Sequence, residues 1–394
     1  MSPTTSVATT PLPDAAPAAV SGPTLPSGRL VSLDAFRGAT IAAMLLVNNP
    51  GSWSYVYPPL RHAEWHGWTP TDLIFPFFLF IVGVAMRYSF GAHFRAGAER
   101  GELVRKVLVR SLVLFGLGLA IHAFPWYDLD PGTLRIPGVL QRIALAYLAA
   151  SLIVLYTEKP GRIVATAALL LGYWALMTLV PVPGYGAGDL SPEGNLAAYV
   201  DRQILGTSHL WSQSRTWDPE GLLSTLPAIA TVLLGGFTGR WLRSGRSGRT
   251  ITLGLLGAGA AAVAVGALWG LAFPINKNLW TSSYTVFTAG LAAILLGVCY
   301  WVIDVRRWRK WATPFVVFGV NAIAAYFLSS LFAREIGMSR LSGEQATLKG
   351  WMYEHAFASW LSPVNASLAF GLSFVALWML VMWGFYRKGV FVKV

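Results

Sequence analysis

His62 is the residue whose type and surroundings best suit catalysis. An imidazole titrates near neutral pH, so it can take up or release a proton under ordinary conditions. A reaction in which an amine attacks needs such a base, because the amine must first lose a proton. The alternative is a solvated loop histidine without a chemical role. His66 follows four residues later, but no Cys or third His lies nearby, so we expect no metal site.

Asp72 and Asn48 are the polar residues predicted to accompany His62 in one patch. Asp72 could accept the second ring proton of His62 and so orient the imidazole. It also completes a capping signal that begins at Thr69 and has Pro70 at the first helical position, so a purely structural cap is the alternative. Asn48 ends an apolar segment, where its amide could donate to a developing oxyanion or form an interhelical hydrogen bond.

Arg37 and Arg110 are the candidate contacts for an anionic cofactor. Arg37 follows Asp34 with i, i+3 spacing, so it could either meet a phosphate or form an ion pair within the first helical turn. Arg110 lies inside an apolar segment, and ionisable groups at such depth usually face a cavity or a partner. A side chain that extends to the membrane surface is the alternative for Arg110.

Two further segments, 217–227 and 275–284, combine aromatic, amide and charged residues. Such a mixture suits a sugar, because rings stack on its faces and polar groups bind its hydroxyls. Helix capping and interfacial anchoring are the alternatives for each segment taken alone. The predicted substrate contacts are Trp65, Asp218, Asn276, Lys277 and Trp280.

The composition shows where these side chains must be held. Of 394 residues, 55% are hydrophobic and 12% are charged, and the mean hydropathy is +0.53. Soluble domains carry about a quarter charged residues, so a cytosolic enzyme and a disordered chain are both excluded. The apolar residues come in runs of about 20 rather than in alternating stretches, which excludes a β-barrel and predicts an all-α, polytopic membrane protein.

Ten apolar segments are long enough, or nearly so, to cross a bilayer as helices. Residues 1–28 precede them and are rich in Pro, Ala, Ser and Thr, so we predict a disordered cytoplasmic tail there and one transmembrane acyltransferase domain over 29–394. The segments are 33–49, 73–90, 107–124, 139–156, 163–182, 221–239, 251–273, 281–303, 314–333 and 365–386.

The distribution of Lys and Arg predicts the orientation of the chain. If the N-terminus is cytoplasmic, most of the 30 basic residues lie on the cytoplasmic side and most of the 18 acidic residues lie outside, as expected for a membrane protein. An even number of helices returns the C-terminus to the cytoplasm. The net charge of +12 is therefore mainly a topology signal, and we expect no nucleic-acid partner.

Five segments resemble the heparan-alpha-glucosaminide N-acetyltransferase family. The first three together are specific, and the similarity extends to residue 394. The segments are RLVSLDAFRG at 29–38, VNNPG at 47–51, HAEWHGWTPTDLIFPF at 62–77, EGLLSTLP at 220–227 and NKNLWTSSY at 276–284.

The resemblance implies a reaction and a location. The lysosomal member takes acetyl from cytosolic acetyl-CoA and places it on a terminal glucosamine across the membrane. Its catalytic histidine lies in the segment matched by His62, and a functional asparagine lies in the segment matched by Asn48. The chain resembles the short bacterial members, which are without the large lumenal domain of that enzyme, so the resemblance implies the bacterial inner membrane.

These observations predict an acetyl-CoA-dependent amino-sugar N-acetyltransferase embedded in the lipid bilayer. His62 would act as general base or carry the acetyl group transiently, and these two options stay open. A homodimer is a further open option. The rival function is an amino-sugar transporter without catalysis, since some short bacterial members are named as N-acetylglucosamine-related transporters, and the same helices and loops would serve transport.

Overall fold

The computed structural model describes residues 30–95, 97, 99–340 and 346–392. The predicted tail at 1–28 lies outside these residues. The α-helices are α1 Val31–Asn48, α2 Ile74–Arg95, α3 Arg100–Ala123, α4 Val139–Tyr156, α5 Lys159–Leu179, α6 Leu196–Leu205, α7 Thr225–Leu242, α8 Gly248–Trp269, α9 Ser282–Cys299, α10 Thr313–Val320, α11 Ala322–Met338, α12 Leu348–Tyr353 and α13 Pro363–Arg387.

Each of the ten predicted segments overlaps with a helix, and the segment 314–333 is divided between α10 and α11. Within the described part of the chain, seven helices are long and apolar enough to cross a membrane, and the bent pair α10–α11 makes an eighth. The other two segments are α3 and α7. The molecule is therefore a helical membrane protein, while the count of ten crossings stays a prediction.

Glycines allow pairs of these helices to touch through their backbones. A Cβ atom on Gly83 of α2 would lie 1.9 Å from the carbonyl oxygen of Val232 on α7, and one on Gly319 of α10 would lie 1.9 Å from the carbonyl oxygen of Asp34 on α1. Small residues at helix contacts are typical of membrane bundles, where close approach supplies the packing energy. These contacts fix α1, which carries Arg37 and Asn48, against α10.

The break between α10 and α11 falls at Asn321, where the two helices meet at 71°. The Asn321 side chain is fully buried, and a buried amide in a membrane bundle usually hydrogen-bonds between helices. Its amide instead donates to the carbonyl oxygen of Val390 at 3.0 Å and accepts from the backbone N–H of Val392 at 2.8 Å. The segment after α13 is thereby held beside the break.

Irregular segments cluster at the end of the bundle that carries His62, which we call the His62 side. They include the 3₁₀-helices Pro58–Leu60 and Pro70–Leu73, the short helix α6 and a two-stranded antiparallel sheet of β1 Pro181–Val182 and β2 Gly186–Ala187. The opposite end, where α1 begins, is called the Arg37 side.

Candidate functional site

His62 and Asp72 form a close pair on the His62 side. The Nδ1 atom of His62 lies 2.6 Å from Oδ1 of Asp72. The Asp72 residue is only 1% exposed, whereas the His62 side chain is 46% exposed. An ionised carboxylate only accepts hydrogen bonds, so Nδ1 of His62 carries the proton and Nε2 keeps its lone pair. This is the arrangement a general base requires.

The second carboxylate oxygen of Asp72 has a different task. Oδ2 accepts from the backbone N–H groups of Ala63 at 3.0 Å and Thr69 at 2.9 Å, and from the Thr69 hydroxyl at 3.1 Å. The two alternatives left open by the sequence therefore coexist, with one oxygen capping the 3₁₀-helix and the other contacting His62. Tyr284 also donates its hydroxyl proton to the backbone carbonyl of Asp72, which fixes that backbone.

Lys277 lies against the His62 ring. Its Nζ atom is 3.4 Å from both Nδ1 and Nε2 of His62. Burial lowers the pKa of the Lys277 ammonium, and the carboxylates of Glu220 and Asp72 oppose that shift. A lysine at this position can hold positive charge next to the atom that would exchange protons with a substrate.

A charged cluster that the sequence analysis missed lies next to Lys277. Arg135 makes two hydrogen bonds to Asp218, at 2.9 and 2.7 Å, and one to Glu220 at 2.7 Å. Burial alone would lower the pKa of Arg135, but these carboxylates outweigh it and raise the pKa. The sequence contains one sign of this cluster, because Arg135 is an isolated arginine between the apolar segments 107–124 and 139–156. Asp218 is only 4% exposed and is held in this ion pair, and its sugar contact stays a prediction.

Asp201 of α6 supports the loop that carries Glu220. It is 1% exposed, and its Oδ1 atom accepts from the backbone N–H of Leu222 at 2.8 Å. Burial raises the pKa of Asp201 to about 7, although this hydrogen bond acts in the opposite direction. The loop conformation therefore depends on a carboxyl group that changes charge near neutral pH.

Asn48 lies at the end of α1 and lines a cavity of about 420 Å³, which we call the His122 cavity. Its exposed side chain makes no hydrogen bond within the described part of the chain, so the interhelical alternative is not found there. His122 and Arg135 line the same cavity. Among the described residues Asn48 does not contact His62. Arg135 lines the same cavity as Asn48 and hydrogen-bonds to Glu220, whose carboxylate acts on Lys277 beside His62.

His122 is a second imidazole that the sequence analysis did not single out. Its Nδ1 atom lies 2.9 Å from the carbonyl oxygen of Arg135. A carbonyl oxygen only accepts hydrogen bonds, so Nδ1 donates and Nε2 carries the lone pair. A contiguous cavity of about 1010 Å³ is lined by loop residues and shares His122, Arg135, Trp211 and Arg334 with the His122 cavity. We call it the loop cavity.

Arg37 and Arg110 line one cavity of about 300 Å³ near the Arg37 side, here the Arg37 cavity. Arg37 donates to Oδ1 of Asp34 at 3.0 Å and to the carbonyl oxygen of Gly319 at 3.2 Å, so the predicted ion pair is present. Arg110 lies 4.9 Å from the centre of the Tyr147 ring, and its Nε atom is buried without a hydrogen-bond partner. The two arginines predicted to meet a phosphate thus share a cavity.

The Arg37 and His122 cavities follow the same four helices. Their lining residues are separated by three to seven positions along each helix, which is about 5–10 Å at the rise of an α-helix. The facing pairs are Arg37 and Met44 on α1, Leu114 and Ile121 on α3, Ile143 and Val139 on α4, and Ile323 and Tyr326 on α11.

Three other predicted substrate residues have structural roles here. Trp280 is 1% exposed and packs on Phe75 with ring centres 5.0 Å apart, while its sugar contact stays a prediction. Asn276 is fully buried and shapes its own loop by accepting from the backbone N–H of Leu279. Trp65 donates to the carbonyl oxygen of Leu190 and keeps part of its ring exposed.

An aromatic surface is formed by Trp65, Trp211 and Trp217. Of these three, the sequence analysis selected only Trp65. The ring centres of Trp65 and Trp217 are 5.0 Å apart, and those of Trp217 and Trp211 are 5.3 Å apart. Trp211 lines both the loop cavity and the His122 cavity. His66 contacts Asn276 at 3.3 Å, and no group of three or more metal-ligating side chains occurs among the described residues.

The comparison with known proteins gives the family. A model of the heparan-alpha-glucosaminide N-acetyltransferase catalytic region matches residues 29–269. The chain is similar to the proteins of that name from Homo sapiens, with 30% identity, and from Mus musculus, with 28% identity, in each case over 93% of the chain. It spans 60% and 61% of the lengths of those relatives. The chain therefore belongs to the heparan-alpha-glucosaminide N-acetyltransferase catalytic family.

Proposed function

We propose that this chain is a membrane acetyltransferase that moves an acetyl group from acetyl-CoA to the amine of a glucosamine-type sugar. Both termini and the Arg37 side would be cytoplasmic, in a bacterial inner membrane, and the sugar would bind on the His62 side. The observation that carries the proposal is the His62–Asp72 pair, because a buried carboxylate sets an exposed imidazole in the tautomer of a general base. The membership of the family and its name support the same reaction.

The donor would approach along the two cavities that share α1, α3, α4 and α11. Arg37 and Arg110 supply guanidinium groups, which bind phosphate oxygens well. The thioester arm would then pass through the narrow layer between the cavities and reach Asn48 and His122. The free amide of Asn48 is suited to donate to the thioester oxygen as negative charge develops on it.

The acceptor chemistry would use His62 and Lys277. Nε2 of His62 takes a proton from the sugar ammonium, and the free amine attacks the thioester carbon to form a tetrahedral intermediate. Collapse of that intermediate breaks the carbon–sulfur bond. The leaving thiolate takes a proton from the imidazolium, and the amide nitrogen releases its remaining extra proton to water. The Lys277 ammonium, 3.4 Å from the ring, stabilises the negative charge in between. Transfer through an acetylated His62 uses the same residues in two steps.

The sugar would lie between the aromatic surface and the loop cavity. Trp65, Trp211 and Trp217 offer ring faces and edges, and Arg334 lines both cavities. A stacked ring fixes the orientation of a sugar, while the polar groups around it select its substituents. The homodimer stays a prediction.

One feature favours the rival function, an amino-sugar transporter without catalysis. Discontinuous helices near the centre of a bundle are typical of transporters, and α10 and α11 form such a pair, bent by 71° at Asn321. Transport alone gives no task to the oriented tautomer of His62, which is why we favour the transferase.

A single assay separates the two functions. Purified protein is mixed with acetyl-CoA and glucosamine, and the release of free thiol is measured. The transferase predicts thiol release that His62→Ala reduces at least 10²-fold, the usual lower range for a general base, estimated as about 10²–10⁴. His66→Ala is the matched control, because it lies in the same loop and lacks the carboxylate partner. No thiol release from the wild type, or equal small losses in both variants, would favour the transporter.

A further inference from the structure

Three arginines from three helices converge on one small pocket near the Arg37 side. Arg87 of α2, Arg162 of α5 and Arg240 of α7 line it together with apolar residues. The pocket holds about 20 Å³, which is room for about one water. We call it the arginine pocket. A larger ligand would contact it at its mouth, where Arg240 is exposed.

The charges around this pocket are poorly balanced. Arg87, Arg162 and Arg240 bring three like charges to one pocket, and each disfavours the charge of the others. Glu158 is the acidic group that acts on Arg162, but within the described residues none of the three pocket arginines forms a salt bridge. Guanidinium groups do not lose their protons in proteins, so the repulsion persists unless an anion binds between them.

The donor groups of the pocket are also incompletely used. Arg162 donates through Nη2 to the carbonyl oxygens of Val154 and Thr157, while its Nε atom is buried without a partner. Side chains that only mark the cytoplasmic side would extend separately to water and headgroups. The convergence of the three arginines on one pocket instead indicates a common ligand with several acceptor oxygens.

The arginine pocket adjoins the Arg37 cavity. Met86 lines both of them and is 3% exposed, so the two spaces meet at one flexible side chain. A ligand that reaches the Arg37 cavity with one end can therefore place another end at the mouth of the arginine pocket.

From this arrangement we propose that Arg87, Arg162 and Arg240 form a binding site for a phosphate-class oxyanion. The planar guanidinium group matches two phosphate oxygens at once. The anion has two sources with the same chemistry, the nucleotide end of CoA or the headgroup of an anionic lipid. Only the first source rests on the proposed function.

The test uses Arg240→Gln and Arg87→Gln, since neither side chain forms a hydrogen bond that supports the described part of the fold. Arg246→Gln is the matched control, because it removes the same charge from the same side, and Arg246 stacks on Trp241 at 4.8 Å instead of lining the pocket. Calorimetry in phosphatidylcholine nanodiscs measures the binding of CoA and of pantetheine, which lacks the phosphates. Native mass spectrometry counts retained phosphatidylglycerol.

If the site takes the donor, both pocket variants weaken CoA binding roughly ten- to hundredfold, as one charge-assisted hydrogen bond predicts, and leave pantetheine binding and the Arg246→Gln control unchanged. If it takes a lipid, CoA binding is unchanged and each pocket variant loses one retained phosphatidylglycerol. Changes in neither measurement, or the same changes in Arg246→Gln, would overturn the site. If the wild-type protein binds no CoA, the proposed transferase function is refuted. The count of retained phosphatidylglycerol then still decides whether the arginine pocket binds an anion.

Discussion

Replacing Asp72 by Asn tests whether the carboxylate sets the tautomer of His62. Oδ2 of Asp72 accepts from two backbone N–H groups and the Thr69 hydroxyl, so an amide NH₂ cannot occupy that position without facing donors. The oxygen of the substituted amide must stay there, and its NH₂ group then points at Nδ1 of His62. The imidazole has to present a lone pair at Nδ1, which moves its proton to Nε2 and removes the base.

The expected loss is therefore large for a change of one atom. A misplaced tautomer beside a catalytic base costs up to about 10⁴ in rate, and we expect Asp72→Asn to lose about 10²–10⁴-fold in kcat. The 3₁₀-helix cap is retained, so the stability loss is confined to the exchanged contact with His62, about 1–3 kcal/mol. The assay is single-turnover release of CoA thiol from acetyl-CoA, with thermal unfolding in detergent measured on the same samples.

Thr69→Val is the control for Asp72→Asn. It removes the hydroxyl whose single proton is shared between the carbonyl oxygen of Arg61, at 2.6 Å, and Oδ2 of Asp72, at 3.1 Å. It leaves the contact between Oδ1 and His62. We expect a lower unfolding temperature with kcat near that of the wild type. A wild-type rate in Asp72→Asn, or an equal loss in both variants, would show that Asp72 acts only as a cap.

Three further predictions concern the donor site, pH and orientation. Arg37→Ala should weaken acetyl-CoA binding by about 1.5–3 kcal/mol in calorimetry and leave glucosamine binding unchanged; unchanged acetyl-CoA affinity would reduce Arg37 to the partner of Asp34. Burial raises the pKa of Asp201 to about 7 from about 3.9 in an unfolded chain, so its folded state holds the proton more tightly. Stability from this group should fall as pH rises from about 4 to about 7, and Asp201→Asn should flatten the unfolding temperature over that range. A periplasm-active reporter fused after the last residue should be silent, and its activity would reverse the orientation.

The positions of the helices could be predicted from the sequence because apolar runs report burial in lipid directly. Every predicted segment became helical, including the first, where Asp34 and Arg37 weaken the apolar pattern. The break at Asn321 could not be predicted, because it depends on the backbone of Val390 and Val392 filling the amide's hydrogen bonds. No local pattern records a partner that is about 70 residues away in the chain.

The candidate site was partly predictable for a similar reason. Asp72 lies ten residues from His62, so both alternatives for its carboxylate could be formulated from one short segment. Arg135 and Glu220 are 85 residues apart, and only the packing of the loops unites them. Trp280 had the composition of a sugar contact, but the sequence does not distinguish a ring on a surface from one packed beneath Arg142 at 5.1 Å.

The two cavities along α1, α3, α4 and α11 have a consequence for the energy supply of the cell. If the proposed transferase admits a thioester arm from one side and a sugar from the other, the same route is wide enough for water and hydronium, and a membrane that carries a proton gradient does not tolerate such a leak. The layer that separates the two spaces is about 5–10 Å deep, thinnest between Ile323 and Tyr326 on α11 and thickest on α1 and α3. In the proposed transferase the apolar side chains of this layer would act as an electrical seal, which a bound donor would replace while transfer proceeds.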